Sequence, residues 1–266
     1  MKIWLPIFLV LGFYFTYAQN ADSSLLKTNK NKAIKINLSE RLNQIHETRW
    51  KIKSLILPTV AIAYGFISLE NDGLITFNNN TKIEIKEDHP GPVTKLDNYL
   101  QYSSAIAVYG LNALGIKGKN NFRDRTIIYA LSTVISSAIV LPLKHITKVQ
   151  RPDDSGFNSF PSGHTATAFA AAEFMRQEYK DISPWYSVAA YGAAAATGIL
   201  RLYNNKHWVS DIVAGAGIGI LSTKFSYWIY PVIKRKFFKD KPMNIMVMPF
   251  YQNSGGGISM IYNFRQ

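Results

Sequence analysis

Six apolar segments separated by polar connections limit what this chain can fold into. None of them shows the strict alternation of apolar and polar residues that is typical of a half-buried β-strand, so all six are predicted to be α-helices. Helices of this kind bury their apolar faces against one another, which predicts an all-α fold built as a helical bundle. The segments are Ser54–Leu69, Tyr99–Ile116, Thr126–Leu143, Thr165–Met175, Trp185–Leu200 and Trp208–Tyr230.

Small residues in two of these segments predict close helix packing. Tyr191–Gly198 is almost entirely Ala and Gly, and Gly215, Gly217 and Gly219 recur in the last segment. Small side chains allow helix backbones to approach closely, so the helix containing Tyr191–Gly198 is predicted to lie centrally and the three glycines to mark a second close contact. A phosphate-binding loop is a poor alternative for the glycines, because no strand precedes them.

The N-terminal region is predicted to direct export. Residues 1–18 combine a short positive start, an apolar run at Ile3–Phe15 and a small residue, Ala18, at a cleavage site. The run has the length of a signal-peptide core, and an uncleaved anchor is the alternative. Residues 19–53 form a basic segment, in which an apolar spacing at residues 38, 42 and 45 predicts a short amphipathic helix. This helix either contacts a membrane surface or packs on the core with its polar face in solvent.

Two other regions are predicted to lack helices. Glu70–Asp97 is predicted to be a polar loop, because Asn78-Asn79-Asn80 and His89-Pro90-Gly91-Pro92 are typical structure breakers. Residues 234–266 begin with a basic run and continue with two short predicted strands around Ser254–Gly257, which favours a β-hairpin. The helical domain is therefore assigned to residues 54–233, followed by a basic linker and a hairpin tail.

Composition narrows the function. The chain has no cysteine, which excludes disulfides, thiolate catalysis and cysteine-ligated metals. Its net charge of +13 suits nucleic acid, an acidic membrane surface or an anionic substrate. Nucleic acid is the weakest of these, because no recognition-helix or zinc-knuckle pattern is present, and no nucleic-acid partner is predicted.

Two motifs lie near the start of the fourth apolar segment, one before it and one at its beginning. Lys144 and Arg151-Pro152 are seven positions apart, about two helical turns, so both cations are predicted to share one helix face. Pro161-Ser162-Gly163-His164 is predicted to begin the next helix, with Pro161 in its first turn and free N–H groups of Ser162 and Gly163 directed at an anion. Taken separately, each motif has a better structural explanation: a basic helix end for the first and a capped helix start for the second.

The third motif joins Arg201, His207 and Asp211. His207 and Asp211 are four positions apart and are predicted to share a helix face. A carboxylate beside an imidazole can accept the Nδ1 proton and leave Nε2 free as a nucleophile. A lone His-x-x-x-Asp is usually structural, but Arg201 beside the pair indicates a phosphate site.

Together the three motifs resemble the signature of the type 2 phosphatidic-acid phosphatase and vanadium haloperoxidase superfamily. The resemblance covers about residues 99 to 230 and implies an all-helical fold. It implies that His207 is the nucleophile, that Asp211 orients His207 and that His164 is the acid. The residues that it implies for holding the phosphoryl oxygens are Lys144, Arg151, Ser162, Gly163 and Arg201.

The sequence departs from the family pattern at one position and is short at another. Leu200 stands where the family often has Ser, which removes one hydrogen bond to the phosphate without affecting the nucleophile. The loop Asp153–Phe160 leaves little room for a separate cap over the site.

The predicted reaction is hydrolysis of a phosphate monoester or diphosphate through a phosphohistidine, without a metal or other cofactor. Three cations and the helix start supply the charge that phosphoryl transfer requires. The substrates considered are phosphatidic acid, phosphatidylglycerol phosphate, undecaprenyl diphosphate and the phosphates of lipid A. Alternatives are a periplasmic acid phosphatase for soluble phosphomonoesters, a vanadium haloperoxidase and a non-catalytic protein that binds lipid phosphates in the envelope.

Charge also predicts where the site lies. If every segment after a cleaved signal spans the membrane, the basic loops fall outside, against the tendency of Lys and Arg to stay in the cytoplasm. If Ser54–Leu69 does not span the membrane, the basic loops lie in the cytoplasm and the end of the bundle that carries the three motifs faces the periplasm. Thr165–Met175 is only about half a span, so a peripheral or fully periplasmic protein is the other solution. Both place the site in the cell envelope, outside the cytoplasm.

Overall fold

Seven α-helices and one β-hairpin form the regular structure of the residues that the computed structural model describes. The described backbone comprises residues 38–88, 94–237, 245–252 and 255–262, and side chains are described for residues 53–88 and 94–237. The elements are α1 Leu38–Ile67, α2 Asp72–Asp88, α3 Leu96–Ala113, α4 Phe122–Thr147, α5 Gly163–Tyr179, α6 Pro184–Tyr203, α7 Val209–Phe237, β1 Ile245–Gln252 and β2 Gly255–Tyr262.

All six apolar segments are helical, as predicted, but the polar stretch Glu70–Asp97 is not a loop. It contains α2, and the asparagines predicted to break the chain lie inside that helix. Asn78 is buried and donates a hydrogen bond to Oγ of Ser210 at 3.0 Å. An asparagine favours turns because its side chain competes for local backbone groups. Here a tertiary partner engages that side chain, which is why the prediction of a loop is wrong. His89-Pro90-Gly91-Pro92 lies outside the described residues.

Helix α5 is the centre of the bundle. It packs against α3, α4, α6 and α7, and most of its alanines are fully buried. The prediction that Tyr191–Gly198 lies centrally is wrong, because α6 buries only one face and exposes apolar residues such as Val188 and Ile199 on the other. Alanine content alone does not say how many faces of a helix have neighbours.

Helix α7 approaches α5 so closely that only glycine fits at two contact positions. A Cβ atom at Gly215 would lie 2.5 Å from the carbonyl oxygen of Ser162, and one at Gly219 would lie 2.2 Å from that of Ala166. Both distances are far below van der Waals contact. The predicted close packing of the glycines is therefore confirmed, and it holds the N-terminal half of α5 against α7.

We expect Gly219→Ala to destabilise the protein, because its methyl group would meet backbone that cannot move aside. Overpacking of this kind typically costs about 1–3 kcal/mol in free energy of unfolding. Gly192→Ala in α6 is the matched control, since a Cβ there has no neighbour within 4 Å and alanine favours a helix by about 1 kcal/mol over glycine. Thermal unfolding of both variants in detergent micelles, followed by circular dichroism, compares them. Equal melting temperatures would contradict this packing.

Two of the described helices, α4 and α7, are long and apolar enough to cross a membrane. A third crossing is added if Lys53–Ile67 and Asp72–Asp88, which meet at an angle of 93°, are counted as one bent span. Together with the apolar exposed surface of α6, these helices agree with a membrane protein.

The C-terminal hairpin is confirmed, with two differences in detail. β1 and β2 pair antiparallel from Ile245 opposite Tyr262 to Gln252 opposite Gly255, so the glycines 255–257 lie in β2 and not in the turn. The basic residues 234–236 form the last turn of α7, where positive charge is favourable beside the helix C-terminus. They are therefore not a linker. The predicted signal peptide lies outside the described residues.

Candidate active site

The three sequence motifs meet at one end of the bundle. Lys144 lies in the last turn of α4 and Arg201 in the last turn of α6, while Ser162 caps the start of α5 and Asp211 lies in the first turn of α7. Lys144 and Arg201 both lower the pKa of His164 and the pKa of His207. The two histidines therefore share one pair of cations and belong to one site.

His207 and Asp211 form a buried pair. Nδ1 of His207 lies 3.2 Å from Oδ2 of Asp211, and the two side chains are 2% and 0% exposed. The predicted contact is present, although His207 precedes α7 and the two residues do not share a helix face. With Nδ1 turned to the carboxylate, Nε2 is the nitrogen left for a reaction partner.

Asp211 reaches His207 because it also caps its own helix. Its Oδ2 accepts a hydrogen bond from the backbone N–H of Trp208 at 3.0 Å, the backward contact that acidic residues make at the third position of a helix. Oγ of Ser159 donates to the same oxygen at 2.5 Å and lies 3.4 Å from Nδ1 of His207. Ser159 is fully buried. The carboxylate is thus held from three directions.

Lys144 and Arg151 converge on the loop before α5, by a different route from the predicted one. α4 ends at Thr147, because Lys148 adopts a left-handed conformation with φ of 48°. Arg151 therefore lies in the loop, and the prediction that both cations share a helix face is wrong. Nζ of Lys144 donates to the carbonyl oxygen of Asn158 at 2.6 Å, and Nε of Arg151 donates to Oδ1 of Asn158 at 2.8 Å.

The start of α5 also differs from its prediction. Pro161 lies before the N-cap and not in the first turn, and the N–H of Ser162 donates to the carbonyl oxygen of Asp211 at 3.0 Å. Oγ of Ser162 accepts from the N–H of Thr165 at 3.4 Å. Both polar groups of Ser162 thus hold α5 to α7 and cap α5. Gly163 lies against the stem of Lys144, with a Cβ position 3.9 Å from its Cε.

The first turn of α3 forms a fourth side of the site. Nη1 of Arg201 donates to Oδ2 of Asp97 at 2.6 Å, in an ion pair whose side chains are 9% and 1% exposed. Nε2 of His164 lies 2.8 Å from Oδ1 of Asn98. Asn204 exchanges two hydrogen bonds with the backbone of Thr94, at 2.8 and 3.0 Å, and so clamps this turn to the end of α6.

The electrostatic environment keeps both histidines neutral. Burial lowers the pKa of His207 to about 4, and Lys144 and Arg201 act in the same direction against Asp211. Burial, followed by the charge of Arg201, lowers the pKa of His164 to about 4. Burial alone would raise the pKa of Asp97, but its hydrogen bond and ion pair with Arg201 hold it below the usual range. A carboxylate and two neutral imidazoles thus face the cations.

Sequence reasoning missed three residues of this site. Asp97 is the last residue of the stretch interpreted as a loop and Asn98 follows it directly. No local pattern links either residue to Arg201 or His164. Ser159 lies two positions before Pro161, in the connection between the first and second motifs, and belongs to neither motif. The only available signal was the polar pair Asp97-Asn98 directly before an apolar segment, which is typical of a helix start.

A cleft of about 210 Å³, counting its part open to solvent, lies between α2 and the segment around His207. Asn78 and Lys82 contribute from α2, and Pro152, His207 and Trp208 face them. Nζ of Lys82 lies 5.4 Å from the centre of the Trp208 ring. Helix α2, which the sequence did not predict, therefore lies next to the segment that contains His207.

Comparison with known proteins agrees with this geometry. Residues 125–235, which carry all three motifs, match the family model of the PAP2 superfamily. Over these 111 of the 266 residues, the chain is similar to the PAP2 superfamily. The matched region contains each PAP2 motif residue and ends in α7, whereas the first turn of α3 lies outside it.

Two curated relatives match parts of this chain. Lipid A 1-phosphatase of Porphyromonas gingivalis is 41% identical over 165 residues, which are 61% of this chain and 37% of that protein. Bacitracin transport permease protein BcrC of Bacillus licheniformis is 35% identical over 74 residues, 28% of this chain and 34% of that protein. The chain thus spans little more than a third of the length of either relative.

Two solved structures have a similar arrangement. LpxE of Aquifex aeolicus has a TM-score of 0.42 and 21% identity, covering 54% of this chain and 92% of its own. The transmembrane PAP2-type phosphatidylglycerolphosphate phosphatase of Bacillus subtilis has a TM-score of 0.48 and 19% identity. The match covers 70% of this chain and 99% of that structure's chain.

Proposed function

We propose that this PAP2 protein is a membrane lipid phosphatase that works through a phosphohistidine. The observation that carries the proposal is the buried pair of His207 and Asp211 beside the cations Lys144, Arg151 and Arg201. A protein that only binds phosphate needs the cations but neither the imidazole nor the carboxylate. The neutral imidazole with a carboxylate on Nδ1 is what nucleophilic attack requires.

The proposed reaction has two steps. Nε2 of His207 attacks phosphorus, the bond to the alcohol oxygen breaks, and that oxygen leaves with the electron pair. It takes a proton from His164, which becomes the imidazolium when the bound phosphate anion offsets the charges of Arg201 and Lys144 that lower its pKa in the empty site. Water then attacks the phosphohistidine, with His164 accepting a proton, and phosphate and free His207 are released. Arg201, Lys144 and Arg151 stabilise the charge on the equatorial oxygens in both steps. Lys144 and Arg151 exchange their bonds to Asn158 for phosphate oxygens when substrate binds.

Among the candidate substrates we place the phosphate of lipid A first. The relative with 41% identity is a lipid A 1-phosphatase, and its similarity extends over 165 residues, beyond the family match. Phosphatidic acid, phosphatidylglycerol phosphate and undecaprenyl diphosphate are the comparison substrates.

We further propose that the site faces the periplasm. At the opposite end of the bundle, the connection from α3 to α4 contains Lys117 and Lys119, and the last turn of α7 contains Lys234, Arg235 and Lys236. Basic segments of this kind stay in the cytoplasm. Along α6, Trp185 is 75% and Tyr203 42% exposed. Their separation of 18 positions is roughly 27 Å of helix, close to the ~30 Å of a hydrocarbon core whose borders favour Trp and Tyr.

Phosphate release by the full chain in detergent micelles tests the proposal. We expect hydrolysis of at least one of the four lipid phosphates, with lipid A fastest, activity that survives EDTA, and inhibition by vanadate, which mimics five-coordinate phosphorus. Strong inhibition by EDTA would overturn the metal-free reaction. Halide oxidation after loading with vanadate would indicate a haloperoxidase instead, hydrolysis of soluble phosphomonoesters alone an acid phosphatase, and binding of lipid phosphate without release a non-catalytic protein.

A further inference from the structure

We propose that Ser159, in the loop before α5, is a positioning residue that holds the Asp211 carboxylate against His207 and ties this pair to the loop. The inference rests on the proposed function, since it concerns the nucleophile of that reaction. Ser159 belongs to none of the three motifs, and its hydroxyl acts on the chemistry through Asp211.

The hydrogen bonds of the Asp211 side chain all meet at one oxygen. Oδ2 accepts from Oγ of Ser159 at 2.5 Å and from the N–H of Trp208 at 3.0 Å, and Nδ1 of His207 lies 3.2 Å from it. Oδ1 is buried and has no hydrogen-bond partner among the described residues. The contacts therefore select the carboxylate oxygen that faces His207.

Ser159 differs from the other two contacts in its place in the chain. Trp208 and His207 lie within four positions of Asp211 and move with the start of α7, whereas Ser159 is 52 positions away. Ser162 ties the start of α5 to the backbone of Asp211. Among the described hydrogen bonds, the one from Ser159 is what joins the Asp211 side chain to another segment. The hydroxyl therefore sets where the carboxylate lies relative to the loop.

The backbone of Ser159 also contacts Lys144, a cation of the proposed site. Its carbonyl oxygen accepts from Nζ of Lys144 at 3.2 Å, and its N–H donates to the carbonyl oxygen of Val149 at 2.9 Å. Ser159 is fully buried, and its hydroxyl is engaged with the carboxylate and not directed at a substrate. One residue thus holds the carboxylate of the nucleophile in register with a phosphate-binding cation, and such alignment of reacting groups is what fast phosphoryl transfer requires.

The variant Ser159→Ala isolates the hydroxyl, because alanine keeps both backbone hydrogen bonds. A carboxylate with one anchor fewer can turn away from His207, and a misplacement of about 1 Å can cost about 100-fold in rate. We expect kcat for the fastest of the four lipid phosphates to fall by roughly 10- to 100-fold. KM and the inhibition constant for vanadate should stay within about 3-fold of the wild type, since the hydroxyl does not bind the phosphate.

Two further variants control for folding. Ser132→Ala removes another fully buried hydroxyl, which contacts Oγ1 of Thr223 at 2.6 Å. Ser132 lies about 18 Å along α4 from Lys144, so this change should leave kcat per folded molecule unchanged. Ser159→Cys keeps the size of the side chain but donates more weakly, and its kcat should fall between those of the wild type and Ser159→Ala. The wild-type chain has no cysteine, so no other thiol complicates this variant.

A double-mutant cycle with Asp211→Asn tests whether Ser159 acts through the carboxylate. Once the charge of Asp211 is gone, Ser159→Ala should cost less than about 3-fold in kcat, because residues that act as one unit are not additive. Ser159→Cys takes its place in the cycle if Ser159→Ala does not fold. Equal losses with and without the carboxylate, a loss that appears as weaker vanadate binding, or an unchanged kcat in Ser159→Ala would overturn the inference. A wild-type chain that releases no phosphate would instead overturn the proposed function.

Discussion

Replacing His207 by alanine is expected to abolish phosphate release, because no other described side chain lies where its Nε2 does. His207 is 3% exposed, and its Nδ1 is already engaged by Asp211 and Ser159. Removal of a covalent nucleophile leaves only binding and charge stabilisation, so we expect a loss of at least about 10⁴-fold in kcat.

His145→Ala is the control for that variant. His145 lies beside Lys144 in the last turn of α4 but is exposed, so its removal should leave kcat within about 3-fold of the wild type, as for most surface changes. Wild type that is incubated with lipid radiolabelled in its phosphate and then denatured in alkaline detergent, where a phosphohistidine survives, should also retain label, and His207→Ala should not. Turnover that persists in His207→Ala would disprove the assignment of the nucleophile.

The pKa of His207 predicts how kcat/KM depends on pH. Since the pKa of His207 lies at about 4, its neutral, nucleophilic form persists as the pH falls and is lost only near that value. The acid limb of kcat/KM, which follows the free enzyme, should therefore bend near pH 4 and not near 6.5. A bend near 6.5 would mean that burial and the neighbouring cations do not act on His207 as the structure indicates.

Asp211→Asn is expected to have the second largest effect, a loss of about 10³- to 10⁴-fold in kcat with the fold retained. An amide can take the place of the carboxylate and still accept from Trp208 and Ser159. It then places an NH₂ group at the position of Oδ1, which is buried and has no hydrogen-bond partner. It also removes the negative charge that would stabilise the imidazolium-like phosphohistidine of the proposed reaction.

The chain offers a matched control for this change. Asp124 is buried in the first turn of α4, at the same helix position as Asp211 in α7, but it lies at the opposite end of the bundle with Lys234 as its partner. Asp124→Asn should reduce stability and leave kcat per folded molecule unchanged. Comparing both variants by kcat and by melting temperature separates the chemical role of Asp211 from the general cost of changing a buried carboxylate in the first turn of a helix. Equal kcat losses in the two would contradict the role of Asp211.

Much of the site was readable from local pattern. Spacing alone indicated the pairing of His207 with Asp211, even though the two contact each other across a helix start and not along a helix face. Lys144 and Arg151 likewise converge as predicted, through the loop at Asn158. The errors at Arg151, Pro161 and His207 share a cause, since each prediction extended a helix beyond its actual start or end.

The sequence by itself determined the six apolar helices, the hairpin and the residues proposed for phosphoryl transfer, because helical periodicity, turn signals and motif spacing are properties of neighbours in the chain. Only the tertiary structure decided that 72–88 is a helix, that α5 is central, and that Asp97, Asn98 and Ser159 join the site. Asp97 meets Arg201 across 104 positions, and Asn78 meets Ser210 across 132. Contacts of that span depend on how whole helices pack, which no local pattern records.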